Sequence, residues 1–305
     1  MKYFAKVCLG SEKVSKRKIK EPELCDECRE EYEFGMLCRT YLRLQKLRIS
    51  TEGTLRHVRP GSEIYETLSY YHKSIYEDEK GFLHKIKPML ERQPLWDWCS
   101  KVKGLGHVAA LTFHSFIRTH VHANGERIEI DTAGKVRKYF GLVPGAELKA
   151  GLRGGFNPQA KGRILGVTVK GILMARDCYY HKGLYDAKKF YYNTYSRYAQ
   201  ALKDPKLCPN YERCVKKYLG KAKREGRKPK NPTCIGHVDN LTKRWLGGIL
   251  VSHATELIRE GKGLDTSNFK NHRPYIRPKA SEDDVPDPDV LEAIRTGKTQ
   301  EYWKP

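Results

Sequence analysis

No run of this sequence is apolar for the ~18–20 residues that a membrane-crossing helix needs. No P-loop and no dinucleotide fingerprint occurs; the nearest approach, GLRGG at 151–155, lacks the lysine-serine ending and the preceding buried strand. No set of carboxylates shows the spacing of a metal-dependent nuclease, and there is no internal repeat. The first residues, MKYFAKVCLGSEKVSKRK, start basic but hold no apolar segment of the kind a secretory signal carries. Together these absences set the expectation of a cytoplasmic protein.

Acid is also scarce. The 305 residues hold 36 Asp and Glu against 58 Lys and Arg, a net charge of +22. An excess of that size favours a polyanionic partner, with nucleic acid first and an anionic membrane surface second. The alternative is a solubilising surface. The excess runs through most of the chain, and the acidic stretch SEDDVPDPDV lies near the C-terminus.

Apolar periodicity divides the chain into five segments. Residues 1–40 are short, charged and cysteine-containing. Residues 41–93 read as a helical pair broken by RPGS at 59–62, with Ile64, Leu68, Tyr71 and Ile75 at helical spacing in the second helix. Such a pair suggests a coiled coil, closed on itself or between two copies in a homodimer. Residues 94–200 form the main unit. A short helix over 95–102 turns through Gly-Leu-Gly into a second over 107–117, and VHANGERIEI alternates around Asn124-Gly125 as a β-hairpin. Asp131-Thr132 offers an N-cap for AGKVRKYFGL. Residues 201–262 read as a cysteine-bearing basic loop followed by the helix HVDNLTKRWLGGILVSHATELIRE. Residues 263–305 form a proline-rich tail, acidic at its end and expected to be peripheral or disordered. The fold class is therefore mainly α, with a small β-hairpin and zinc-clipped loops.

Zinc enters through Cys208, Cys214, Cys234 and His237, in the pattern C-x5-C-x19-C-x2-H. Three thiolates and one imidazole suit a closed tetrahedral, structural site. The connection VKKYLGKAKREGRKPKNPT has almost no apolar residues to hold it by burial, so a metal clip would supply the constraint. Cys8, Cys25, Cys28 and Cys38 make a second candidate set, of which only Cys25 and Cys28 have metal-like spacing. Cys99 and Cys178 fall on apolar helix faces as core thiols. His114 belongs to a core and His120 and His122 to the hairpin; catalytic constellations are thin.

Two stretches fit a phosphate backbone. In VKGLGHVAALTFHSFI, residues 102–117, Gly104 and Gly106 allow a tight reversal. The free N–H groups of the next helix start beside Lys101, Lys103 and His107. In GAELKAGLRGGFNPQAKGR, residues 145–163, Lys149, Arg153, Lys161 and Arg163, with Lys170 beyond, recur among glycines that let a backbone approach. Tyr179, Tyr180, Tyr185, Tyr191, Tyr192, Tyr195 and Tyr198 crowd one region, as stacking surfaces for bases or as bundle contacts.

The order of these features resembles the C-terminal transposase domain of the DEDD-type, bridge-RNA-guided insertion-sequence transposases. The resemblance covers roughly residues 41–200. Gly104, Gly106 and Ala109 match that family's glycine hairpin. Arg137, Lys138, Tyr139, Gly141, Leu142, Val143 and Pro144 match its helix end. The chain departs from the family on chemistry: there is no room for an acid-bearing, RuvC-like nuclease domain before the helical pair. Residues 145–167 contain no serine nucleophile, and Thr168 is the first hydroxyl after them. What remains is similar to the Nop domain of box C/D guide-RNA proteins and to the Tas proteins of tandem-interspaced-guide-RNA systems. The resemblance implies a guide RNA and complementary DNA as partners, Arg137 and Lys138 among the contacts, and no cleavage. Two alternatives stay open: a compact recombinase using Thr168 or a tyrosine, and an architectural DNA-binding protein.

Overall fold

The computed structural model describes residues 26–123, 126–143, 155–176, 178–208, 211–226, 235–270 and 286–298. Among them the protein is mainly helical, with one β-hairpin. Helix α1 (Asp26–Leu55) starts well before the expected Tyr41. Phe34, Cys38, Tyr41 and Leu42 recur at i, i+4, i+7 and i+8, and this stripe packs into the core. Helix α2 (Glu63–Glu91) is N-capped by Ser62, whose hydroxyl accepts from the Tyr65 amide, with Glu63 and Glu66 in its first turn. It returns along α1. Buried Glu79 on α2 accepts from Tyr41 Oη at 3.2 Å and from Arg48 Nε at 2.5 Å, locking the register of the pair.

Helix α3 (Pro94–Lys101) and helix α4 (Gly106–Phe116) follow, joined by the Gly-Leu-Gly turn. Strands β1 (His120–Ala123) and β2 (Glu126–Glu129) pair antiparallel, His120 opposite Glu129. The expected Asn124-Gly125 turn lies outside the described residues. The Glu31 carboxylate of α1 accepts from the Thr119 amide and hydroxyl, both at 3.0 Å, and so fastens the start of the hairpin to the helical pair. Helix α5 (Ala133–Tyr139) is capped by Thr132, as its sequence indicates.

A continuous rod comes next: α6 (Pro158–Arg163), a wide π-helical turn (Ile164–Val169) and α7 (Lys170–Met174). Helix α8 (Tyr179–Thr194) and helix α9 (Arg197–Lys203) lead through a 3-10 turn at Pro205–Leu207 to α10 (Tyr211–Arg224). The long α11 (Ile235–Glu260) crosses the whole assembly. Helices α12 (Ser267–Lys270) and α13 (Pro288–Thr296) complete it.

The main core draws on α1, α2, α3, α4, α5, the rod, α11 and α12. Leu90, Leu95, Leu111, Phe113, Phe140, Ile164, Ile172, Leu246 and Leu250 form its interior. It runs straight through the boundaries drawn at 40, 93 and 200. At about 1.5–3 kcal/mol for each large side chain buried, this shared interior dominates the stability. A satellite cluster joins Tyr180, Leu184, Ala187, Ile249, Val290 and Ile294, so α13 packs on α8 and α11 rather than trailing off with the tail. Phe269 on α12 enters the main core as well. The basic stretch expected as a loop is instead helix α10, seated on a small cluster of Ala201, Cys208 and Val238. No helix among the described residues is long and apolar enough to cross a membrane.

Candidate nucleic-acid interface

The Gly-Leu-Gly turn is built on a backbone crossing. Gly104 has φ +93, and a Cβ there would meet the Gly171 carbonyl oxygen at 2.6 Å; one on Gly171 would collide with the Gly104 oxygen. The two glycines thus let the turn and α7 touch main chain to main chain. Gly106, with φ +60, faces open space. The two glycines differ: Gly104 makes a main-chain contact with Gly171, whereas at Gly106, where α4 begins and the chain is half-buried, there is room for a side chain. No side chain caps that helix start. Its first amides keep the partial positive charge that attracts phosphate.

Exposed cations stand around the turn. Lys101 and Lys103 precede the turn, and Lys170 adjoins Gly171 at the crossing. Lys101 pairs with exposed Asp97 at 2.8 Å, a contact worth little in solvent. His107 is committed to the fold: its ring stacks on Trp96 at 4.3 Å between centroids, and Nε2 lies 3.3 Å from Glu91 Oε1.

The other residues assigned to phosphate contact separate into two groups. Lys138 is exposed, and Lys161 sits half-exposed over the Phe156 ring, 4.7 Å from its centroid. Arg137 and Arg163 are braces. Arg137 Nε donates to the Gly248 carbonyl at 3.2 Å and to Ser252 Oγ at 3.1 Å, tying α5 to α11. Arg163 donates to Gln45 Oε1 at 2.8 Å and the Leu42 carbonyl at 2.7 Å, tying the rod to α1. Burial lowers the Arg163 pKa, and its guanidinium faces α1. Sequence pattern marks a cation but not the partners its side chain takes within the fold. Lys149 and Arg153 lie outside the described residues.

Two of the three thiols expected with His237 come to it. Cys208 Sγ is 3.3 Å from Nδ1 and Cys214 Sγ is 3.2 Å from Nε2, so the sulfurs bracket the imidazole on opposite nitrogens. Burial lowers the His237 pKa and favours the neutral ring. Cys234, three positions before the histidine, lies outside the described residues. Among the described residues no three His, Cys, Asp or Glu form a group able to hold a metal ion. Of the second set, Cys8 and Cys25 lie outside the described residues. Cys28 and Cys38 are on one helix, ten positions and so about 15 Å apart, too far for one tetrahedral ion. Cys38 is fully buried, and burial pushes its thiol up to about 12. Cys99 and Cys178 are core thiols, as expected.

Thr168, the candidate substitute nucleophile, is fully buried in the π-helical turn, its Oγ1 without a hydrogen-bond partner. A hydroxyl there is out of reach of a DNA strand. His114 is also buried, and burial holds its pKa down at about 3, so it is a neutral core residue at physiological pH. Tyr180 and Tyr185 are buried bundle contacts, whereas Tyr179 and Tyr195 are exposed.

Comparison of the chain with known protein families, with curated proteins and with solved structures finds no match.

Proposed function

We propose that this protein is a nuclease-free guide-RNA-binding protein that directs an RNA to complementary DNA. The observation carrying the reading is the start of α4 at Gly106, which no side chain caps and where an added Cβ would meet nothing; exposed Lys101 and Lys103 precede it in sequence, exposed Lys170 adjoins the Gly104–Gly171 crossing, and the chain has net charge +22. Backbone amides and lysines at such a point grip phosphate without reading bases. Sequence specificity then falls to pairing between guide and target. The buried Thr168 weighs against the recombinase alternative. Sequencing the RNA that copurifies with the full-length chain tests the reading. A dominant, defined species is expected; a random sample of host RNA would overturn it.

In the same reading, zinc is held by Cys208, Cys214, Cys234 and His237 and clips the start of α10 to the start of α11. Support comes from two sulfurs and one imidazole, 23 and 29 positions apart in sequence, meeting at 3.2 and 3.3 Å. Binding through one ring nitrogen requires the imidazole to turn toward a single ion. Metal analysis is expected to find stoichiometric zinc in the wild type and to lose it in Cys208→Ala/Cys234→Ala. The protein is a homodimer in this reading, supported by Ile49, Ile64, Tyr70 and Tyr71, all exposed where α1 meets α2. Sedimentation of Ile64→Lys/Tyr70→Lys, expected to be monomeric, tests it.

A further inference from the structure

Helix α10 lies outside the stretches that the sequence marks for phosphate. Its sequence, YERCVKKYLGKAKR, holds Arg213, Lys216, Lys217, Lys221, Lys223 and Arg224. At about 100° per residue these six fall within one arc of about 160°. Tyr211, Cys214, Val215 and Ala222, the half-buried or buried positions, occupy the other side; Tyr211 packs on the small cluster of Ala201, Cys208 and Val238, and Cys214 meets His237. The single acid, Glu212, sits at the edge of the arc, and the arc contains no Asn, Gln, Ser or Thr.

Gly220 lies at the middle of that arc. Glycine inside an exposed helix costs about 1 kcal/mol relative to alanine. Here the fold draws nothing from it: φ is not positive, and a Cβ would meet nothing within 4 Å. A smooth groove flanked by lysines on both sides is the shape that lets a phosphate ridge approach the helix main chain.

We infer that the cationic face of α10 docks on the backbone of B-form DNA along the major groove. Three points on this helix fix the partner. The charge is of one sign, which fits a polyanion. The groove of B-DNA is about 12 Å wide and admits an α-helix, whereas the major groove of an A-form RNA duplex is too narrow for one. The absence of short polar side chains on the arc points to phosphate contact rather than base reading. The inference goes beyond the proposed function, since it concerns the DNA duplex beside the target and not the guide.

The test uses the full-length protein and a mixed-sequence DNA duplex of about two helical turns (~21 base pairs), with fluorescence anisotropy across a salt series. Lys216→Gln/Lys217→Gln/Lys221→Gln/Lys223→Gln is expected to weaken binding roughly 10- to 100-fold at low salt and to flatten the log–log salt slope by ~0.9 for each phosphate left without its cation. Its thermal midpoint should be unchanged. Affinity for an RNA duplex of the same length should change far less. Gly220→Leu should weaken DNA binding while keeping or raising helicity by circular dichroism. Wild-type affinity and slope in the quadruple variant would overturn the inference. An equal loss on RNA and DNA would overturn the B-form assignment, and undiminished binding by Gly220→Leu would overturn the placement of the phosphate ridge. The quadruple variant should still copurify with its RNA. If the wild type carries no defined RNA, the guide-RNA reading fails while the DNA measurement still decides the role of α10.

Discussion

Helices α4 and α10 are of similar length, 11 and 14 residues, and are held in opposite ways. Eight of the eleven residues of α4 are buried, and only its first turn, Gly106 to Val108, is partly open to solvent. Among the described side chains of α10, Ala222 alone is buried, and the helix rests on one cluster and a thiol–imidazole contact. In α4 the sequence is used to make the fold, and the proposed phosphate contact rests on backbone amides at its start. In α10 the fold asks little of the sequence, so cations occupy nearly half the circumference.

The comparison can be broken first by truncating the core. Phe113→Ala on α4 is expected to lower unfolding free energy by about 3–5 kcal/mol. Cys214→Ala on α10 in metal-free protein should cost under ~1 kcal/mol; denaturant titration of both checks the contrast. Next in size is the glycine crossing. Gly104→Ala combines a left-handed backbone with a clash against Gly171, for about 2–4 kcal/mol, whereas Gly106→Ala meets strain alone, about 1–2 kcal/mol. A cost at Gly104 no larger than at Gly106 would contradict the main-chain crossing as a source of stability.

A smaller effect comes from pH. Burial lowers the pKa of His114 and of His181 from 6.5 to about 3. The unfolded chain therefore binds more protons than the native one between those values, and stability falls as pH drops below about 6.5. The loss for each histidine approaches ~1.4 kcal/mol per pH unit well inside the window. Thermal midpoints from pH 7 to 5 should decline, and His114→Leu should flatten the decline; an unchanged midpoint would contradict the buried neutral ring. The smallest expected change is a gain: Gly220→Ala should raise helicity and add up to about 1 kcal/mol, read by thermal melts.

Periodic apolar residues made α2, α3, α4 and α11 legible, and Asp131-Thr132 and the alternation at 121–130 marked the cap and the hairpin. Residues 26–40 escaped because acids and cysteines dilute the stripe of Phe34, Cys38, Tyr41 and Leu42. Helix α10 escaped because its run of cations reads as a loop when burial is the criterion, although lysine and arginine are good helix formers. At the site, Gly104, Gly106, Lys101, Lys103 and Lys170 stood out by type and spacing. That Arg137 and Arg163 turn inward is a three-dimensional fact, decided by carbonyls and amides more than a hundred residues away in sequence.

The wide turn at Ile164–Val169 behaves as an edge dislocation does in a crystal. Upstream of it, Arg163 is phased to α1; within it, Ile164, Leu165 and Val169 close on Gly247 of α11; downstream, Gly171 is phased to Gly104. Winding the same six residues as an ordinary α-helix, at about 100° each rather than the smaller step of a wide turn, would remove the defect. Every later side chain of the rod would then rotate by about 100° relative to the earlier ones. Gly171 would leave Gly104, and the Gly-Leu-Gly corner would lose the surface it closes on. A local irregularity of helical pitch is thus what allows three neighbours, out of register with one another, to be served by a single rod.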